Sequence, residues 1–397
     1  MKDKLHIAIV GGGIGGLTAA LALGARGLIV TVFEQAETPR EIGAGITLSP
    51  NAALLLNRIG LAERLKNINS GTPSLTLRTS RGEVFATSPR PAAPPPSGGG
   101  GQGYMVHRAD LLNLLVDAQP AGTLHFGHHC IGAKETGDRV RLTFASGATA
   151  DADMVIGADG IHSVVQRGIG LETRPTSEGI MAYRGLIPTE RLAWAANLNE
   201  LTMWMGAGRS FLCFPVSQAR LINMVAFVPT NRDAEESWSA PGDLKALAAE
   251  YRGWDAPVLE TINALDETFR WGIYDRAPLL YWSTDRMTLL GDAAHPMVPH
   301  VGQGAGQAIE DGFALAVLLE GAERKDIPSR LKAYEKLRLE RTSQVQAVAR
   351  EAGRFYRSEG ENTSERHQRM TKWMSASRWI FGYDAEQAAT ELLSHMQ

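Results

Sequence analysis

Apolar residues fall along the chain in short runs that stop at glycines, and the first of these runs sets the frame. Residues 5–10, LHIAIV, form a β-branched run ending at Gly11; GLTAALALGARG (16–27) has the alanine and leucine content of a helix, and LIVTVFEQ (28–35) returns to strand character. The pattern predicts a β-α-β unit. Two later runs, DMVIGADG (153–160) and RMTLLGDAA (286–294), read as buried strands that each end at an aspartate beside glycine, where an α/β sheet carries its ligand-binding turns. Strands so far apart in sequence predict a sheet assembled from discontinuous segments.

From about 179 to 270, GIMAYRGLIP, ELTMWMGAGRSFLCFPV and LINMVAFVP alternate or carry aromatics, as antiparallel strands of a second layer do. PRPAAPPPSGGGGQG (89–103) is proline-rich and then glycine-rich, which predicts an exposed, mobile loop. From PSRLKAYEKLRLERTSQVQ onward, apolar residues recur every three to four positions among charges, predicting helix. The expected organisation is an α/β, Rossmann-like domain made of 1–75, 104–178 and 271–328, an antiparallel sheet layer made of 76–103 and 179–270, and a C-terminal helical segment, 329–397.

Composition narrows the partners. With 397 residues, 44% hydrophobic and 21% charged, the chain can bury sizeable cores, and a net charge of −3 with dispersed Lys and Arg offers no basic field for nucleic acid or anionic lipid. Cys130 and Cys213 stand far apart in no metal-ligand spacing, so neither a disulfide framework nor a zinc site is expected, and a reducing cytoplasm fits best. The tandem His128-His129 has no third ligand at useful spacing, so no metal is expected there. The N-terminal run superficially resembles a signal peptide, but its glycines argue otherwise, and no stretch reaches the roughly 18 apolar residues of a membrane span. A soluble monomer or homodimer is expected.

The glycines after the first strand read Gly11-x-Gly13-x-x-Gly16, opening a helix, with Glu34 at the end of the next strand. Gly11 allows the tight turn, Gly13 lets a pyrophosphate approach the helix N-terminus, Gly16 allows close packing, and Glu34 can accept hydrogen bonds from a ribose. This context points to a dinucleotide; the bland alternative is a glycine-rich structural turn. The unit suits NAD or FAD equally. Near residue 300, however, Asp292 at a strand end can hold a polyol hydroxyl, and the run Gly302–Gly306 opens a helix whose N–H groups suit a second anionic feature. Two such sites suit FAD, whose adenosine and flavin ends lie far apart.

The glycine fingerprint, EIGAGITLSPNA, VHRADL, DMVIGADGIHS, LLGDAAHPMVPH and, near the end, WIFGYD occur in the order found in class A FAD-dependent aromatic monooxygenases. The chain resembles most the salicylate hydroxylase, 3-hydroxybenzoate hydroxylase and 6-hydroxynicotinate monooxygenase group. The resemblance implies the para-hydroxybenzoate hydroxylase-like fold, and hydroxylation of a small phenolic aromatic or heteroaromatic acid by O2 through a flavin C4a-hydroperoxide. NADH or NADPH would serve as transient reductant, since only one full fingerprint is present. It also implies that Glu34 binds the adenosine ribose, that Arg108 lies along the ribityl and phosphates, and that Asp159 serves both FAD and the nicotinamide donor. Asp292 would hold the ribityl chain, and Gly304 with Ala305 the pyrimidine edge. Gly15, Gln35, Thr47 and Ile131 complete the expected cofactor set. One departure stands out: the family's DGxxSxxR motif here has Gln166 in the arginine position, with Arg167 following.

The Pro-His step then acquires a meaning. A phenol with a pKa near 10 is a poor nucleophile until it ionises, and His300, with an ordinary pKa of about 6.5, is the expected base, with Pro299 holding the backbone against the flavin. The bland alternative is a histidine that caps the glycine-rich turn or packs on Pro296. His295 is expected to support its loop. On strands and turns that the resemblance implies lie near the flavin, the substrate-side candidates are Thr47, Arg184, Trp204, Phe211 and Phe214. Where the 6-hydroxynicotinate and 3-hydroxybenzoate relatives tend to carry His and Tyr, this strand has Ser210 and Phe214, which shifts acid–base work toward His300 and away from those exact substrates. The rival readings are an FAD dehydrogenase or reductase that transfers no oxygen, and a catalytically idle nucleotide-binding module.

Overall fold

The computed structural model describes residues 4–39, 44–71, 74–88, 103–230, 240–358 and 362–396. The expected mobile loop at 89–103 lies outside these, apart from Gly103. His6–Val10, Ile14–Ala25 and Ile29–Phe33 form the β-α-β unit. Its strands sit in a five-stranded parallel sheet in the order Met287–Leu289, Met154–Gly157, His6–Val10, Ile29–Phe33, Leu124–His125. Both predicted distant strands are present: Met154–Gly157 pairs with the first strand, and Met287–Leu289 pairs with Met154–Gly157. The helices Ile14–Ala25 and Gly304–Leu319 pack closely on one another because small residues face the contact: a methyl group at Gly312 would lie 2.9 Å from the Ala19 backbone.

A second sheet of eight strands runs in the order Ala240–Pro241, Phe269–Asp275, Thr176–Pro188, Leu221–Pro229, Arg209–Val216, Leu201–Gly206, Leu75–Thr79, Val84–Thr87. All its joins are antiparallel except that of Leu201–Gly206 with Leu75–Thr79. Two helices that the alternation did not suggest, Leu244–Glu250 and Ala256–Asn263, cover one face. There Leu247, Tyr251, Val258 and Ile262 pack with Trp204, Phe211 and Met224 in a core of their own.

The C-terminal region is helical as its periodicity predicts, broken into Ile327–Tyr356, Thr363–Ala376, Arg378–Phe381 and Ala385–Ser394. Among the described residues no helix is long and apolar enough to cross a membrane.

Candidate active site

One cavity of about 2320 Å³ runs from the C-terminal edge of the parallel sheet to the uncovered face of the second sheet. At its first end Gly11, Gly13, Gly15, Glu34 and Gln35 line the wall. Gly13 caps its helix in extended geometry (φ −76°, ψ −177°), and a Cβ built there would meet nothing within 4 Å. The free space is therefore a cradle at a helix N-terminus, where unpaired N–H groups and the helix dipole favour an anion. Gly16 is different: a Cβ there would come within 2.0 Å of the Gly11 carbonyl oxygen, so its role is packing. The Glu34 carboxylate accepts the N–H of Gly12 at 2.7 Å and of Ala36 at 2.8 Å, which turns it toward the cavity mouth with lone pairs to spare. The Ile131 side chain is 53% exposed and does not line the wall; its neighbours His129 and Cys130 do.

At mid-cavity stand Arg108, Asp159 and Asp292. Asp292 is open to the cavity and otherwise enclosed by protein; burial raises its pKa, against the pull of His295, Arg108 and Arg276. Burial lowers that of Arg108, which Asp292 offsets. Asp159 accepts Ser163 Oγ and the N–H groups of Val164 (2.7 Å) and Val165 (3.2 Å), so it anchors the start of the short helix Val164–Gly168 while facing the cavity. Gln166, at the departure from the family motif, is buried and donates to the Ala293 carbonyl at 2.8 Å, tying that helix to the Asp292 turn. Arg167 points to the cavity rim, where it donates to the His162 carbonyl at 3.2 Å. Successive helical residues diverge by about 100°, so the two side chains do not substitute for each other.

At the far end the second sheet supplies a row across four strands: Arg184 pairs with Val225, Val225 with Leu212, and Leu212 with Met203, and all four line the cavity. Phe214, on the same face, lines it too. The neighbouring row, Tyr183, Ala226, Phe211 and Trp204, has the opposite parity and faces the covering helices. The expectation that Trp204 and Phe211 contact a ligand is thereby corrected. Trp204 donates from Nε1 to Asp255 at 2.7 Å and Phe211 stacks edge-on with Tyr251, because a one-residue step along a strand reverses the face. Met203, Leu212, Val225 and Phe227 are among the lining residues that sequence reasoning missed. From the C-terminal helices Met370, Trp373 and Met374 close the same end. Arg184 is 4% exposed, lies 5.4 Å from the Trp271 ring centre, and is lowered to about 10 by burial and by the positive charge of Arg108.

Between these stations lie Thr47, Pro299, His300, Gly304 and Ala305. Gly302 holds a left-handed conformation (φ +62°), with Thr47 so close that a Cβ at 302 would sit 2.7 Å from its Oγ1. His300 is 9% exposed, stacks on Phe227 at 4.9 Å and has its Nε2 3.1 Å from Arg357 Nη1. Burial, with the Arg357 charge second, lowers its pKa to about 3. That departs from the expectation of a base with a near-neutral pKa, since a ring this weakly basic holds almost no proton at pH 7. His295 supports its loop, with Nε2 donating to Asp311 Oδ2 at 2.6 Å.

The arrangement fits FAD: an open cradle at a helix N-terminus, an acid at the next strand end, and a second aspartate beside a second helix start, all in one cavity. Known proteins agree. Residues 4–349 match the family described as FAD binding domain. The 3-amino-4-hydroxybenzoate 2-monooxygenase of Streptomyces platensis is 37% identical over 389 residues, covering 97% of each chain. The 6-hydroxynicotinate 3-monooxygenase of Bordetella bronchiseptica is 33% identical, over 97% of this chain and 96% of its own. A salicylate hydroxylase in complex with substrate superposes with a TM-score of 0.84 at 31% identity, covering 98% of both chains. The chain therefore belongs to the FAD binding domain family, in its branch of FAD-dependent aromatic monooxygenases.

Proposed function

We propose that the protein hydroxylates a small phenolic aromatic or heteroaromatic carboxylic acid, using NADH or NADPH as transient reductant and O2 as co-substrate. The observation that carries this reading is the single cavity, in which the dinucleotide cradle at Gly13 continues into a pocket with apolar walls and a buried guanidinium at Arg184. Bound FAD would supply the oxygen chemistry. The chain's own groups bind, orient and exclude water. The Gly13 helix start and Arg108 would face the pyrophosphate and ribityl, Glu34 the ribose, and Asp292 a ribityl hydroxyl. Arg184 would take the substrate carboxylate, with Phe214, Leu212, Val225 and Met203 against the ring and His300 near its hydroxyl. The apolar walls lower the local dielectric, which strengthens each of these polar contacts.

The test is NAD(P)H oxidation by the yellow protein with 3-amino-4-hydroxybenzoate, 6-hydroxynicotinate and salicylate, under 18O2, with mass analysis of products. One acid should both speed oxidation and yield a product carrying one 18O atom, either on the intact acid or with the carboxyl lost as CO2. Stimulated oxidation without label in any aromatic product, its electrons recovered as peroxide or as a reduced acid, would make the protein a flavin oxidase or reductase instead.

Two substitutions bear on separate stations. Arg184→Met should raise KM for the aromatic acid about 10–100-fold, the worth of a charge-assisted contact, and leave FAD affinity unchanged. The corresponding neutral amide should bind both proteins alike; equal weakening of acid and amide would place the defect in packing. Asp292→Ala should weaken FAD retention about tenfold, one hydrogen bond's worth, as read by quenching of flavin fluorescence on titration.

A further inference from the structure

His300 is held on several sides, and the long helix Ile327–Tyr356 supplies most of the grip. Gly353, Tyr356 and Arg357 fall at i, i+3 and i+4, one face of that helix and its cap. A methyl group at position 353 would lie 2.2 Å from His300 Cδ2 and 2.6 Å from Nε2, so glycine is what admits the imidazole. Tyr356 meets the ring edge-on at 6.3 Å, Phe227 packs on it from the second sheet, and Arg357 Nη1 lies 3.1 Å from Nε2.

That last contact has only one chemical solution. A guanidinium donates hydrogen bonds and accepts none, so Nε2 must present a lone pair and the single proton of a neutral ring must sit on Nδ1. Nδ1 is buried without a protein partner, on the ring edge turned away from Gly353, in a residue that lines the cavity. A doubly protonated ring would set two cations about 3 Å apart in a buried site.

We propose that Arg357 is a positioning residue that fixes His300 as the neutral Nδ1–H tautomer, so that His300 meets the substrate as a hydrogen-bond donor and not as a base. This rests on reading the cavity as the site of a phenolic acid. The phenol's proton then leaves to solvent water, and the phenolate oxygen that remains accepts the Nδ1–H. The ring stays neutral throughout: burial and the Arg357 charge hold its pKa far below neutrality, the Tyr356 phenol is raised by burial, and Glu178 acts on Arg357 from the strand Thr176–Pro188. An unpartnered donor awaiting an oxyanion needs no proton of its own to give up.

The test is nitrogen NMR of the holoenzyme labelled with 15N-histidine, the His300 signals being those lost in His300→Gln. The wild-type ring should show a protonated Nδ1 and a bare Nε2, constant from about pH 5.5 to about 8.5. Arg357→Met should release it, so that the ring titrates or exchanges tautomers in that window. Coupled hydroxylation should fall about tenfold, one oriented hydrogen bond's worth, with peroxide release rising. Arg357→Lys, which keeps a donor, should restore the wild-type spectrum and coupling in part. A protonated Nε2 in the wild type, titration of the wild-type ring in that window, or an unchanged ring in Arg357→Met overturns the proposal. The wild-type spectrum decides even if a variant fails to fold. It also needs no substrate, so a failure of the hydroxylase reading, seen as absent 18O, is distinguishable.

Discussion

Gly13→Val is expected to fold normally and to emerge from purification colourless. The backbone at 13 is extended and open to any residue, and the built Cβ meets no protein atom within 4 Å, so the fold has no reason to object. The branched side chain instead fills the cradle at the start of Ile14–Ala25, where the helix N–H groups would face the pyrophosphate. Losing two or more charge-assisted hydrogen bonds should weaken FAD by about 100-fold or more. Flavin absorbance per protein and an FAD titration measure the loss, while thermal melting of the flavin-free proteins should coincide. Gly16→Val provides the contrast. Its Cβ would overlap the Gly11 carbonyl, so that variant should fail to fold. A Gly13→Val protein that stays fully yellow would mean the cofactor lies elsewhere.

Among variants expected to fold, a large effect on stability should come from Arg338→Met. Arg338 is fully buried and donates from Nε to Asp311 Oδ1 (2.7 Å), from Nη1 to Glu310 Oε2 (2.5 Å) and from Nη2 to Gln307 Oε1 (2.8 Å). Glu310 keeps a second guanidinium, Arg341, at 2.7 and 2.8 Å. Asp311 keeps His295 and the N–H of Gly291 but, among the described residues, no second guanidinium, so the damage centres there. Stripping one partner from a buried ion pair typically costs about 3–5 kcal/mol, because the remaining charge stays desolvated. Asp311 also orders the turn that carries Asp292, so FAD retention should fall with stability.

The pH dependence gives a check on cause. Burial would raise the Asp311 carboxyl, but His295 and Arg338 outweigh it and hold it at about 2. A carboxyl depressed in the folded state contributes stability above its unfolded value, near 3.9, and loses it as pH falls toward about 2. The gap between wild type and Arg338→Met in urea unfolding should therefore be full at neutral pH and narrow below about pH 4. A gap independent of pH would point to lost packing instead.

Much of this was legible in the linear chain. Gly11–Gly16 between a β-branched run and an alanine-rich run, and aspartates at the ends of two further apolar runs, are local patterns. A tight turn, a helix start and a strand end depend on neighbours in sequence, so residue type and spacing determine them. Those features pointed to residues that line one end and the middle of the cavity, while Arg184 and Phe214, named from the family resemblance, line the other.

What the chain could not reveal is decided by parity and by distance. The strands Leu201–Gly206 and Arg209–Val216 are apolar on both faces, because helices cover one side and the cavity lies on the other; without polar alternation nothing local separates Trp204 and Phe211 from Met203 and Leu212. In the C-terminal helix, Arg338 and Arg341 sit among charges that periodicity reads as a solvated face. Their carboxylate partners, about thirty residues earlier, turn that face inward. His300 shows the same limit at the atomic scale. Residue type marked it as a titratable group, but which nitrogen keeps the proton is settled by an arginine 57 positions away that only folding brings within 3.1 Å. Sequence patterns report the interactions a residue makes with its chain neighbours; the charge, tautomer and facing of a buried side chain are set by neighbours in space.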